Sequence, residues 1–294
     1  MMNTFKDAIV TTEQYKFIKQ GIVNAARMSL SARNLIGIRR PPLGLGVQTF
    51  SHDELTEMGT AMLSYNFVEQ LEGTNLTRTN TNIPIHQEDF FIGERDLLAS
   101  QRTGVPLPTQ AVDVATYSVA KSENELILVG STAGSPGPAV NGLYNSAGND
   151  FSTTADFATF GKPTTAVEGA MALLLADNIE PPYHLVLNPT QYAQLKGSIS
   201  STGIHEMPIV QDMLNDMGGG GQVWTSSHMA AGTGMMLPVN GAQKGFFEYV
   251  LAHDLDSVLS RKSIADQGGL KGKVFVAGVP IIYDSNAICK LSVI

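Results

Sequence analysis

The segment from Asp177 to Gly197 constrains the fold most, because it predicts the end of a helix, a buried strand and a second helix in direct succession. Pro181 and Pro182 prevent the first helix from continuing, since proline lacks the amide that a helix interior needs. Tyr183 to Leu187 are apolar except for one histidine and predict a short buried strand. We therefore expect helices and strands packed in layers around a common core.

Capping residues mark the ends of the two predicted helices. Asn188 can accept hydrogen bonds from free amides as an N-cap, and Pro189 suits the first helical position. Gly197 can take the left-handed conformation that follows a last helical turn. Thr165 and Glu168 have the spacing of a capping box, which predicts the start of the earlier helix.

A longer helix is predicted from about Thr109 to Gly130 by an apolar stripe at alternating spacings of three and four. The stripe consists of Val112, Ala115, Val119, Ser122, Leu126 and Val129. After it, residues 131–150 are rich in Gly, Pro, Ser and Asn and predict a surface loop. Another helix is expected at 208–217, and strands at 223–226, 234–237, 246–252, 256–260, 274–282 and 287–294.

A polar two-stranded ribbon is predicted between about Ser64 and His86, with Glu72-Gly73-Thr74 as its turn. Three threonines in this stretch alternate with polar residues of the other face, at Thr77, Arg78, Thr79, Asn80, Thr81 and Asn82. An isolated hairpin is only marginally stable in water, so this ribbon needs a surface to lie against. An edge hairpin on its own domain and a contact with another molecule both satisfy that need.

Several of these blocks resemble the encapsulins, shell proteins with the HK97-type fold of tailed-phage major capsid proteins. The similar blocks are Ile-Glu-Pro-Pro-Tyr at 179–183, Ile-Pro-Ile at 83–85 with the segment that follows it, Glu-Asn-Glu-Leu-Ile-Leu-Val-Gly at 123–130, and 30–47. The resemblance implies an α+β, HK97-type shell fold with an N-terminal arm, an extended β loop, a spine-helix (P) domain and an axial (A) domain.

On this resemblance the chain divides into five parts. They are an N-terminal helix and arm at 1–50, an extended loop at 51–88, and a peripheral domain with the spine helix at 89–159. An axial domain at 160–252 and C-terminal strands at 253–294, which complete the peripheral domain, follow. The helix of the first part is amphipathic, with Tyr15, Ile18, Ile22 and Ala25 on one face.

The resemblance also implies which residues contact other copies of the chain. In the extended loop these are Leu71, Glu72, Thr74, Leu76 and Arg78, and in the arm they are Arg33, Arg39 and Arg40. Some HK97-type shells join a loop lysine to an asparagine of another subunit. No lysine lies between Lys19 and Lys121, so we expect a shell held by noncovalent contacts.

Composition limits the partners. Charged residues make up 16% of the chain, against about 25% in typical globular domains. We interpret this as surface that becomes covered, and an ordinary neutral surface is the alternative. The net charge of −8 gives no general attraction for nucleic acid phosphates. The N-terminal sequence has no uninterrupted apolar segment for secretion, and no run of eighteen apolar residues occurs anywhere, so no membrane partner is expected.

We find no motif for catalysis, cofactor binding or metal binding. Cys289 lies in an apolar run and is expected to be a buried structural thiol. The six histidines have no metal-ligand spacing, no GxSxG turn occurs, and the glycines at 218–221 follow a predicted helix instead of leading into one. We expect no enzyme and no cofactor.

The sequence leaves three functions open. The first is the major capsid protein of a tailed-phage-type virion, assembled in the host cytoplasm as rings of five, with rings of six as a further arrangement, and packaging nucleic acid by non-specific contacts. The alternative is an encapsulin nanocompartment that encloses a cargo protein. The remote third is a stand-alone α+β enzyme.

Overall fold

The computed structural model describes residues 32–55, 76–103, 107–131, 139–152, 156–215, 219–239, 241, 243–262, 268–292 and 294. The helices in these ranges are α1 Ala32–Leu35, α2 Glu94–Thr103, α3 Leu107–Leu128, α4 Lys162–Ala176, α5 Pro189–Gly197 and α6 Glu206–Leu214. The strands are β1 Ile38–Arg39, β2 Thr49–Leu55, β3 Leu76–Asn82, β4 Ile85–Gly93, β5 Gly130–Ser131, β6 Val140–Asn141, β7 Asn149–Ser152, β8 Tyr183–Leu187, β9 Val223–Thr225, β10 Thr233–Pro238, β11 Phe247–Lys262, β12 Gly269–Ile282 and β13 Cys289–Ser292. The mixed order of elements confirms the predicted α+β class.

A four-stranded sheet of order β1-β11-β12-β4 forms one half of the protein. Its centre is the long antiparallel pair β11 and β12, of 16 and 14 residues. The two strands predicted at 246–252 and 256–260 are one strand, β11, with register shifts between Leu251 and Asp256. The sheet is therefore longer and more continuous than the sequence pattern indicates.

Helix α3 packs on this sheet, and its bounds lie within two residues of the predicted helix. Val112, Ala115 and Val119 are buried against the core, as the apolar stripe predicts. Ser122 of the same stripe is exposed, and its hydroxyl lies 2.8 Å from Nδ1 of His86 on β4. The stripe therefore faces the core for most of its length and reaches the edge of the sheet at Ser122.

The end of α3 is closed by the chain that returns past it. The amides of Leu143 and Tyr144 donate to the carbonyls of Ile127 and Leu128, at 2.9 and 2.8 Å. These carbonyls belong to the last turn, which has no partners of its own within a helix. Leu143 is fully buried, so the prediction of a surface loop over 131–150 is wrong for its second half; residues 132–138 lie outside the described ranges.

A five-stranded sheet of order β7-β13-β10-β8-β9 forms the other half. The predicted strand Tyr183–Leu187 is β8, and every one of its residues is buried. The last predicted strand, within 287–294, is β13, which pairs with β10 and β7 of this sheet. The prediction that this strand returns to the four-stranded sheet is therefore wrong. Its apolar face continues the core around β8 and β10 instead.

Local capping rules hold at the start of α5 and fail at its end and at the start of α4. Asn188 accepts from the amide of Thr190 at 2.9 Å, so the predicted N-cap of α5 is confirmed. Gly197 still belongs to α5 and Ser198 follows it in an extended conformation, so the left-handed glycine cap is wrong. The capping box is also wrong, because α4 begins at Lys162, one turn before Thr165.

The core is continuous across the two halves. Its largest cluster joins Val119 of α3 and Val276 of β12 to Val186 and Leu237 of the five-stranded sheet. A second cluster buries α4, α5 and α6 against the opposite face of that sheet. Burying large apolar side chains contributes about 1.5–3 kcal/mol each, so this shared core is the main force that holds the halves together.

Candidate assembly surfaces

A two-stranded ribbon projects from the four-stranded sheet, and we define it as β2 and β3. Seven antiparallel residue pairs join the strands, from Thr49 opposite Asn82 to Leu55 opposite Leu76. One strand of the predicted ribbon is present as β3, but the pairing predicted within 64–86 is wrong, because the partner of β3 is β2, which precedes that stretch. The predicted turn at Glu72-Gly73-Thr74 lies outside the described residues.

One face of the ribbon is directed toward the protein and the other toward solvent. Phe50 and His52 on β2, with Thr79 and Thr81 opposite them, are half-buried. Their neighbours along each strand are exposed, as the period of two in a strand requires. The exposed outer face is polar and long, so it offers backbone and side-chain groups to a further molecule.

Arg78, one of the predicted contact residues, is paired across the ribbon with Asp53. Its Nε lies 2.7 Å from Oδ1 and its Nη2 lies 3.0 Å from Oδ2 of that carboxylate. The hydrogen bond from Arg78 lowers the pKa of Asp53, so both groups stay charged at neutral pH. Leu76 pairs with Leu55 through its backbone. Leu71, Glu72 and Thr74 lie outside the described residues.

Arg33, the first arginine of the predicted arm, is bound within the chain. Its Nε and Nη2 donate to the two carboxylate oxygens of Glu123 on α3, at 2.8 and 3.0 Å, and its Nη1 donates to Asp254 at 3.1 Å. Glu123 is fully buried. Burial raises the pKa of Glu123, and the charge of Arg33 offsets part of that effect. The two hydrogen bonds to Glu123 hold Arg33, which lies near the first described residue, against α3.

Arg39 and Arg40 also have partners in the same chain. Arg39 donates from Nη1 to Glu248 on β11 at 3.0 Å, and Nη2 of Arg40 lies 3.6 Å from Asp254. Both arginine side chains remain more than half exposed. Their contacts with another copy stay a prediction, and the N-terminal amphipathic helix predicted before them lies outside the described residues.

An apolar groove of about 540 Å³ lies between β4 and the first half of α3. Phe90, Ile92 and Val114 are among its lining residues, with Glu88 and Asp96 on its polar side. Val114 and Tyr117 are 70% and 58% exposed, which leaves an apolar face of α3 outside the core. The sequence reasoning missed this surface because it followed only the stripe that packs on the sheet.

The sequence reasoning also missed Glu206, which is fully buried at the start of α6. Its carboxylate accepts from the amides of Gly161 and Thr164 and from the hydroxyls of Thr164 and Ser198. A carboxylate at this place caps α4 from another helix.

Metal-ion clusters and membrane-spanning helices are both absent from the ranges that the structure describes. Among those residues, no cluster of three or more His, Cys, Asp or Glu side chains could hold a metal ion. In the same ranges, no helix is both long and apolar enough to cross a membrane. Cys289 is buried as predicted, and burial raises its pKa to about 11.

The two sheets, the helix α3 and the projecting ribbon place the protein in the HK97-type fold class. The virus-like particle from Pyrococcus furiosus has a similar structure, with a TM-score of 0.67 at 15% identity, covering 96% of this chain and 100% of that chain. The capsid of Myoviridae phage XM1 has a TM-score of 0.65 at 13% identity, covering 90% of this chain and 91% of that one.

A family model described as "Encapsulating protein for peroxidase" matches residues 2–257. The chain belongs to this family, the encapsulins, and the predicted resemblance is confirmed. A curated relative is the diheme-cytochrome-encapsulin shell fusion protein of Kuenenia stuttgartiensis, 25% identical over 212 residues that cover 70% of this chain. The match covers 55% of that relative, so the chain spans about half of its length.

Proposed function

We propose that copies of this chain assemble through noncovalent contacts into a closed icosahedral shell. The proposal rests on the ribbon. Seven residue pairs join its two strands, it projects from the four-stranded sheet, and its outer face is exposed and polar. A ribbon of this kind is marginal by itself and gains stability when a further surface covers it. Family membership makes a second copy of the same chain the natural surface.

In the proposed assembly, each copy contacts the next through different surfaces, and the contacts close by rotation into rings. Rings of five are expected, with rings of six in a larger shell. The separation into a four-stranded and a five-stranded sheet supports a division into a peripheral and an axial part, although β7 and β13 of the proposed peripheral part pair in the five-stranded sheet and β11 begins within the proposed axial part. The arm arginines and the ribbon remain the proposed contact regions.

We further propose that the shell encloses a cargo protein. The family match over 2–257 favours this content, and so does the charge of the chain. The net charge is −8, and Arg33, Arg39 and Arg40 already contact carboxylates of their own chain. Contacts of these three arginines with phosphates would therefore have to compete with carboxylates of their own chain.

A genome-enclosing capsid is the second candidate, which the sequence alone placed first. The similarity to the phage XM1 capsid favours it. Purified particles separate the two candidates, because a genome-filled shell has nuclease-protected nucleic acid and a nanocompartment has a co-purifying protein. Elution of the purified chain as a monomer or small oligomer in size-exclusion chromatography would contradict both and favour the stand-alone enzyme.

A further inference from the structure

The direction of the ribbon is set where it joins the sheet. At this point β3 continues into β4 after two residues, and the amide of Ile83 donates to the carbonyl of Gln48 at 2.8 Å. These backbone links hold the two strands together. They leave the tilt of the ribbon against the sheet to side chains.

Two side chains on the inner face of β2 make the contact with the sheet. The ring of His52 stands edge-on to Tyr283, with 5.1 Å between ring centroids. The guanidinium of Arg39 lies over the ring of Phe50, with its Cζ 5.8 Å from the centroid. The ribbon therefore rests on Tyr283 and Arg39, which follow β12 and end β1.

A single carboxylate oxygen holds both supports. Oε1 of Glu248 accepts from the hydroxyl of Tyr283 at 2.5 Å and from Nη1 of Arg39 at 3.0 Å. The Glu248 side chain is only 15% exposed, and its strand is at the centre of the sheet. The guanidinium of Arg39 is charged, and hydrogen bonds that involve a charged group are roughly twice as strong as neutral ones, so Glu248 holds Arg39 strongly.

The tyrosine keeps its proton at ordinary pH. Burial and the hydrogen bond with Glu248 raise the pKa of Tyr283 to about 12. The hydroxyl therefore remains a donor to Glu248 under the conditions in which a shell would assemble. Both supports are then in place before a second copy arrives.

We propose that Glu248 is a positioning residue for assembly: by holding Arg39 and Tyr283 it fixes the tilt of the ribbon against the four-stranded sheet, and this tilt selects the size of the shell. The inference rests on the proposed function, because the tilt matters only when the ribbon contacts another copy. It assigns size selection to a cluster of side chains at the base of the ribbon.

The length of the ribbon makes a small change of tilt effective. Seven residues at about 3.3 Å each extend roughly 23 Å, so a rotation of about 10° at the base moves the far end by roughly 4 Å. A displacement of that size approaches the spacing of about 4.8 Å between strands. The ribbon would then meet a different part of its neighbour, and the rotation that closes the rings would change.

The experiment compares particle diameters of assembled variants by electron microscopy. Glu248→Ala removes both anchors, Tyr283→Phe removes one hydroxyl, and Glu248→Gln retains an oxygen that accepts from both donors. Glu168→Ala is the matched control, since Glu168 is an exposed glutamate on α4. Thermal unfolding of each variant is recorded alongside, because a purely structural role would lower stability without changing the diameter.

We expect Glu248→Ala to produce a diameter class that is absent from the unmodified shell, Tyr283→Phe to produce the same class in a smaller share, and Glu248→Gln to restore the original distribution. Shells of Glu248→Ala with the original diameters would overturn the inference. Should that variant fail to fold, Tyr283→Phe decides, and unchanged diameters would overturn it equally. An unmodified chain that forms no shell contradicts the proposed function instead.

Discussion

Replacing Glu206 by alanine is expected to destabilise the protein strongly, although the residue lies in no predicted motif. Its carboxylate is fully buried and accepts from the amides of Gly161 and Thr164 at 3.1 and 2.9 Å. It also accepts from the hydroxyls of Thr164 and Ser198 at 2.7 and 2.8 Å. The alanine variant would leave three donors of the α4 start, and the hydroxyl of Ser198 after α5, without this acceptor.

The magnitude follows from these contacts. Loss of a helix N-cap costs about 1 kcal/mol, and a buried donor left without a partner costs about 1–3 kcal/mol. The hydroxyls can rotate toward other acceptors, so the two amides of Gly161 and Thr164 dominate the loss. We expect a decrease of roughly 3–4 kcal/mol in the free energy of unfolding, a large part of the usual total of about 5–15 kcal/mol.

The assay is thermal unfolding at one fixed protein concentration, because assembly makes Tm depend on concentration. At about 2–4 °C for each kcal/mol, the Tm of Glu206→Ala should fall by roughly 6–16 °C. Glu206→Gln retains one acceptor oxygen and should fall by about half as much. Glu168→Ala removes an exposed glutamate of α4 and serves as the control. A Tm of Glu206→Ala equal to that of the control would refute the assignment of Glu206 as a cap.

Three further predictions concern charged and reactive groups. Arg33→Ala leaves Glu123 buried without its partner and should lower the free energy of unfolding, measured in urea, by about 3–5 kcal/mol. Joint replacement of both residues by leucine and methionine should restore most of that stability. A mild effect of the single change would contradict the buried pair. Burial raises the pKa of Cys289 to about 11, so a maleimide at pH 8 should label the denatured chain and leave the folded chain unlabelled, and rapid labelling of both would contradict the burial. Asp53→Arg places like charges across the ribbon and should reduce the yield of shells, and adding Arg78→Asp should restore it. Arg78 lowers the pKa of Asp53, so the ion pair should persist above the ordinary aspartate pKa and weaken only as pH falls through the lowered pKa. A shell yield that declines between pH 7 and 5 in step with loss of this pair would contradict the lowered pKa.

Sequence reasoning succeeded where structure is determined within a few residues. Asn188 and Pro189 specify the start of α5 because a cap and its amide are two residues apart. The stripe on α3 specifies its buried face because helical spacing is regular. These local rules, with the family resemblance, were sufficient for the α+β class and for most of the elements.

It failed where partners are distant in the chain. Glu206 lies 45 residues from Gly161, the amide that it caps, so a local capping box was predicted instead. Arg33 lies 90 residues from Glu123, and no local pattern predicts that pair. The partner strand of β3, Thr49–Leu55, contains charged and polar residues at most positions and gave no clear signal of a strand.

The candidate contact surfaces were predictable only in part. Arg78 does lie on the ribbon, but its exposed side chain is already bonded to Asp53. The exposed apolar face at Val114 and Tyr117 could not be predicted from the sequence pattern, because apolar helix positions are assigned to the core by default. An exposed apolar face of this kind is recognised only once the packing of the helix is known.

The most direct test of the account is a cryo-electron microscopy map of the purified chain under mild conditions. We predict a closed particle with icosahedral symmetry, in which the outer face of β2 and β3 lies against the neighbouring copy. A population of separate chains, or particles in which the ribbon touches only its own chain, would contradict the central claim.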